Sequence, residues 1–172
     1  MVGLDDFRHV LGHFASGITI VTTRDADGRP VGLTATAFTS VSLDPPLVLI
    51  CVDLKARCYA ALEACERFAV NILGSHQEAL ARRFASTLED KFHGFECHAG
   101  HLELPLIPDA LAHIECEKVA AYRGGDHTIF LGRVEAVRAR DGDPLLHYRG
   151  QYDRLQSALK PGPFSAAGGG VR

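Results

Sequence analysis

A mainly β fold with peripheral helices, its strands closing into a barrel, is what this sequence predicts. Three observations carry that expectation. β-rich runs, alternating or wholly apolar, recur between turns marked by Gly, Pro and Asp. Tight turns join successive strand candidates, which makes them antiparallel. Helical periodicity is confined to three short segments, too few for the crossovers of a doubly wound parallel sheet.

The elements follow in order. Leu4, Phe7, Val10, Leu11 and Phe14 share one face at 3.6 spacing, so residues 5–14 predict an amphipathic helix that Asp5 or Asp6 can cap. "GITIVTTRDADGRPVGLTATAF" reads as strand, turn, strand, with Asp27-Gly28 supplying the positive φ of a hairpin. "GLTATAFTSVSLDPPL", residues 32–47, is unusual. Thr34, Thr36, Thr39, Ser40 and Ser42 punctuate it, whereas a strand built for packing alone would carry more Val, Ile and Leu. "LVLICVD", residues 47–53, lacks a polar face and predicts a strand covered on both sides.

"ARCYAALEACERF" predicts a helix and "FAVNIL", residues 68–73, a strand. Ser75 and Glu78 have the spacing of a capping box that opens a helix over 75–86. Residues 87–108 are rich in Gly, His and Glu and predict a loop, of a length that points to function. "AHIECEKVAAYRGGDHTIFLGRVEAVRA" predicts a long hairpin around Gly124-Gly125-Asp126. "PLLHYRGQYDRL" predicts a short strand and a short helix. The sum is six or seven strands with three short helices outside. The Pro- and Gly-rich end of the chain predicts one domain over 1–158 and a flexible C-terminal tail over 159–172.

Composition excludes several classes. Hydrophobic content of 47% with 23% charged residues is the profile of a soluble globular domain, and 172 residues suffice for one. Net charge is -3 with no block of Lys or Arg, which argues against nucleic acid. No apolar run approaches a membrane span, and "MVGLDDFRHV" has no signal-peptide core. Five cysteines without a C-x-x-C pair predict free thiols and a cytoplasmic protein. Cys51, inside its apolar run, reads as a small core residue.

G-x-S-x-G, the P-loop and the dinucleotide G-x-G-x-x-G are all absent. His9 and His13 stand at i, i+4 but lack a third ligand. His93, Cys97, His98 and His101 in "HGFECHAGH" have zinc-ligand chemistry, but the cluster is local and has no second knuckle. Loop polarity is the better account, and no metal site is assigned.

At "FRHVLGHFASGITIVTT", "GLTATAFTSVSLDPPLVLICVD", "RFAVNIL", "FA…DKF" and "GDHTIFLGRV" the chain resembles the flavin reductase family. It is similar to the reductase component of two-component flavin-dependent monooxygenases, such as phenol and 4-hydroxyphenylacetate hydroxylases. The likeness spans residues 7–155 with the motifs in family order. It implies a flavin-binding split β-barrel and a homodimer with flavin near the subunit interface.

The resemblance also implies site residues. Thr34, Ala35, Thr36, Ala37 and Ser40 would line the isoalloxazine ring, because small side chains let backbone polar groups approach a flat heterocycle closely. Cys51, Val52 and Asp53 would offer main-chain contacts toward the ribityl chain. Lys55 and Arg57, with Cys58, would meet the phosphate; many relatives carry Ser or Thr near this point. Ala85, Ser86, Lys91 and Phe92 match a second phosphate-side segment. His127, after Asp126, falls at the nicotinamide pocket and is the one catalytic candidate. His147, Tyr148, Gly150 and Tyr152 match the nicotinamide-side segment near the C-terminus.

The implied activity is hydride transfer from NADH to FMN or FAD, with reduced flavin passed to a separate oxygenase. FMN against FAD, and NADH against NADPH, stay open at this point. Hydride transfer needs no protein nucleophile, only stacking and proximity, which agrees with a chain lacking any triad. A second class stands beside it: a non-catalytic flavin- or haem-binding split-barrel module, or a flavoprotein resembling pyridoxamine phosphate oxidase.

Overall fold

The computed structural model describes residues 2–155. The tail expected over 159–172, and residues 156–158, lie outside the described residues. Helices are few: α1 (Leu4–Leu11), α2 (Tyr59–Ala64) and α3 (Glu78–Ala85). The strands are β1 (Ser16–Gly17), β2 (Thr19–Arg24), β3 (Pro30–Ala35), β4 (Phe38–Leu43), β5 (Pro46–Asp53), β6 (Arg67–Ile72), β7 (His98–Ala99), β8 (Pro105–Leu106), β9 (Ala112–Gly124), β10 (His127–Ala139), β11 (Leu145–Tyr148) and β12 (Gln151–Arg154).

Seven strands form one antiparallel sheet in the order β3-β2-β6-β9-β10-β5-β4; with five short strands the described residues hold twelve, more than the six or seven expected in all. β3 and β4 occupy opposite edges of this sheet, yet only Thr36 and Ala37 separate them in the chain. Three peptide links span at most about 11 Å. The two edges are therefore drawn together, and the sheet curls on itself. At the corner the Cys51 N–H donates to Ala37 O at 3.0 Å, seating the bend against β5.

Inside the curl Val21, Ile50, Val52, Phe68, Val70, Cys116 and Phe130 form one core. Gly132 on β10 is part of that packing. A Cβ there would lie 2.6 Å from Phe68 Cζ, so only glycine admits the ring. A second core, with Ile20, Leu73, Phe84 and Ile107, lies under α3 and the 87–108 segment. Buried Asn71 ties that segment down: its amide donates to Ile20 O, and its oxygen accepts the Ile107 N–H.

Several expectations are corrected. α1 stops at Leu11 because the Gly12 N–H closes its last turn on Arg8 O, and Gly12 O then accepts the Arg149 N–H at 2.8 Å. The helix over 75–86 opens with a 3₁₀ turn, Ser75–Gln77, and its cap lies one residue earlier than Ser75: the Gln77 side-chain oxygen accepts the Gly74 N–H. β5 is not covered on both faces, since burial alternates along it and leaves Leu47, Leu49 and Cys51 half-exposed. Residues 87–108 are not all loop, because β7 pairs with β8 within them. The expected helix after β11 is instead β12. Arg149 (φ 50°) and Gly150 (φ 78°) make a two-residue turn with positive φ at both centres, which returns the chain as a hairpin. No helix among the described residues is long and apolar enough to cross a membrane.

Candidate functional site

The strand corner opens the main cleft. Thr36, Ala37, Phe38 and Thr39 form one wall with Leu49 and Cys51 of β5. Arg8, Leu11 and Phe14 of the N-terminal segment stand opposite, with His147 and Gly150 of the β11–β12 hairpin. The cleft encloses about 640 Å³. Its exposed corner exists because Thr36 and Ala37 are spent on turning the chain rather than on filling the core.

The cleft joins residues from both expected sets: Thr36, Ala37 and Cys51 from the flavin side, His147 and Gly150 from the nicotinamide side. The other hydroxyls and small residues of the strand do different things. Thr34 Oγ1 donates to Ala81 O at 2.6 Å, tying β3 to α3. Ala35 and Val52 turn into the core, which leaves only their main chain for a ligand. Ser40 is exposed and is not part of the cleft wall. Burial raises the pKa of the Cys51 thiol, so it stays neutral.

A smaller pocket, of about 80 Å³, lies at the other end of β3, where Arg57, Cys58, Lys91 and Phe92 meet Pro30, Val31 and Gly32. Gly32 and Thr36 are roughly 13 Å apart along the strand, four residues of rise. Lys91 reaches in from the 87–108 segment and donates to Phe84 O at 2.7 Å. Desolvation lowers its pKa, and the neighbouring Arg57 charge adds to the lowering. Burial raises that of the Cys58 thiol. An anion here would offset the strain on both cations. Ser86 serves the helix end instead, donating to Arg83 O and accepting the Leu88 N–H; neither it nor Ala85 lines these cavities.

His127 begins β10 opposite Asp53, two positions from the pair Ile129 and Cys51. It therefore shares the sheet face of Cys51, about 7 Å farther along. Its Nδ1–H donates to Asp126 Oδ1 at 2.8 Å. That bond, with the charges of His127 and Lys55, lowers the Asp126 pKa and keeps the carboxylate ionised. Tyr148 and Tyr152 do not converge on the cleft. Tyr148 meets the edge of His13, and Tyr152 packs beneath the Arg82 guanidinium, 4.5 Å from its ring centre.

Sequence reasoning missed Arg8, Leu11, Phe14 and Leu49. The apolar periodicity of Leu11 and Phe14 and the apolar run around Leu49 were visible, but such patterns alone do not separate a face that packs from one that lines a cleft, and Arg8 gave no signal. A flat heterocycle on a phosphate-ended chain suits the arrangement: small residues and free backbone at the corner, cations at the far end of β3.

Comparison with known proteins agrees with this chemistry. The flavin reductase like domain matches residues 11–156. The reductase subunit of a flavin-dependent monooxygenase from Rhodococcus jostii is 43% identical over 151 residues, covering 87% of this chain and 77% of that protein. An NADH:FAD oxidoreductase from Streptomyces globisporus, solved in complex with NAD and FAD fragments, superposes with a TM-score of 0.83 at 41% identity, covering 90% of this chain and 96% of that one. A solved structure from Sinorhizobium meliloti gives a TM-score of 0.86 at 38% identity; the match covers 88% of this chain and 53% of the other, so this chain spans about half of it.

Proposed function

Because the chain belongs to the flavin reductase family, we propose that it is an NADH-dependent flavin reductase that supplies reduced FMN or FAD to a separate oxygenase component. The observation that carries this reading is the shared cleft: Thr36, Ala37 and Cys51 stand across one space from His147 and Gly150. Two flat rings can meet only where their two walls do.

When bound, flavin supplies the two-electron acceptor for a hydride from reduced nicotinamide. The chain's own residues bind and position. The corner backbone and small side chains at Thr36 and Ala37 would hold the ring, and Arg57 and Lys91, with Lys55, its phosphate. Leu11, Phe14, Phe38 and Leu49 give the cleft an apolar lining against which a flat ring could pack. Asp126 holds the imidazole of His127 with Nδ1 protonated, which would leave Nε2 free for the nicotinamide. Proximity and orientation then supply most of the acceleration.

A homodimer fits the same reading. Leu4, Phe7, Val10, Leu11 and Phe14 leave α1 and its C-terminal turn with a wide exposed apolar face, and a second copy is the natural cover. A reduced, cytoplasmic setting agrees with five unpaired cysteines. The binding-module and pyridoxamine-type readings are not favoured, since the relatives named above are reductases and oxidoreductases.

The test is to mix protein with FMN or FAD and with NADH or NADPH, and follow absorbance at 340 nm. Flavin-dependent loss of NADH is expected. Its absence with every pairing would overturn the reading.

A further inference from the structure

The segment between β5 and α2 is closed by local turns: the Lys55 N–H donates to Asp53 Oδ1, and the Ala56 N–H to Asp53 O. It exposes Lys55 and Arg57. Two further bonds attach it to the β9–β10 hairpin, one at each end. At the start, the Leu54 N–H donates to Asp126 O at 3.0 Å. At the finish, the Tyr59 hydroxyl lies 2.9 Å from Thr128 Oγ1 and 2.8 Å from Glu63 Oε1. A carboxylate only accepts, so Tyr59 donates to Glu63 and Thr128 donates to Tyr59. Residues 126 and 128 are the two neighbours of His127.

The Thr128 hydroxyl faces inward and is buried, while His127 faces outward on the same strand. Tyr59 packs its ring beside Phe130 at 6.2 Å between centroids. The clamp thus has an inner half at half-buried Tyr59 and buried Thr128 and a surface half at Leu54 and Asp126. On the surface side, the Lys55 charge also acts on the Asp126 carboxylate. The segment that carries Lys55 and Arg57 is thus bonded to both neighbours of His127.

We propose that Tyr59 and Thr128 are positioning residues that couple the flavin-phosphate loop to the nicotinamide-side histidine, so that flavin and nicotinamide bind with positive cooperativity. This rests on the reading of Lys55 and Arg57 as phosphate partners. Neither Tyr59 nor Thr128 touches substrate; they set the geometry between two groups that do. Reciprocity requires each ligand to tighten the other by the same factor.

Flavin affinity is measured by fluorescence quenching, with FMN alone and with saturating NAD⁺, which binds without turnover. In the native protein NAD⁺ should tighten FMN about fivefold or more. Tyr59→Phe and Thr128→Val should bring that ratio to within about twofold of unity, whereas Thr128→Ser, which keeps the hydroxyl, should retain it. A merely structural role would weaken FMN binding and leave the ratio intact. A ratio of one in the native protein, or an unchanged ratio in Tyr59→Phe and Thr128→Val, overturns the proposal. If Tyr59→Phe does not fold, the Val and Ser pair at position 128 decides. Lys55→Ala and Arg57→Ala probe the underlying reading separately: unchanged FMN affinity in both would remove the phosphate loop and the coupling with it.

Discussion

The Cys51 N–H donates to Ala37 O at 3.0 Å, and this one bond joins the strand corner to β5. It brings a turn residue and a strand residue side by side on the wall of the cleft. Their side chains are small, which leaves room for a ligand beside them.

Filling that wall should block the ring. Ala37→Leu projects a branched side chain from an exposed position into the cleft, with no core contact to disturb. FMN affinity should fall by about tenfold or more, roughly 1.4 kcal/mol, with little change in melting temperature. A fluorescence titration and a thermal melt check both halves; undiminished affinity places the ring elsewhere.

Lys91 should discriminate phosphate from ring. Lys91→Met keeps much of the stem's packing and removes the charge. FMN affinity should drop about tenfold while riboflavin affinity stays the same, because riboflavin carries no phosphate. Equal losses for both ligands would mean that Lys91 supports the fold, through its bond to Phe84 O, and not the ligand.

His127→Ala should raise the NADH Michaelis constant and leave flavin affinity nearly unchanged. Asp126→Asn should shift the same constant in the same direction. Since the Asp126 pKa is lowered from 3.8, the orientation it provides is fully present above that value and is lost only as pH falls through the lower one. Steady-state kinetics from pH 5 to 9 should therefore show no titration of Asp126. An NADH Michaelis constant left unchanged by Asp126→Asn would contradict the assignment.

Cys116 should make the fold sensitive to alkali. It is fully buried beside Gly132 and Phe68, and burial, with smaller contributions from Glu135 and Glu115, pushes its pKa up to about 12. A raised pKa contributes stability that is complete below the unfolded value near 9 and is lost as pH rises toward 12. A rise from 9.0 to about 12 corresponds to roughly 4 kcal/mol as an upper figure. Comparing urea unfolding of the native protein and Cys116→Ala at pH 8 and pH 11, the native protein should lose more. Parallel losses would show that the thiol does not titrate.

Much of this was legible in the chain because turn chemistry is local. Asp27-Gly28 and Gly125 do adopt or adjoin the positive φ that their hairpins need, and the strands fall where β-rich runs lie between them. The turn at Arg149-Gly150 was missed because only Gly150 announces a positive φ; Arg149 is held there by its N–H bond to Gly12 O, a partner far away in sequence. The capping signal at Ser75 and Glu78 was displaced for a similar reason, since the Ser75 N–H is engaged by Asp143 O.

By itself the sequence determined a mainly β chain, its hairpins, the family it resembles and the identity of the cations that could meet a phosphate. Only the tertiary structure decided which members of a motif face a ligand. Thr34 turned to Ala81, Ala35 and Val52 turned inward, and Thr36, Ala37 and Cys51 were left on the cleft with Arg8, Phe14 and His147. The physical reason is that strand order and curl set the facing of each side chain, and both depend on pairings between segments that no local pattern specifies.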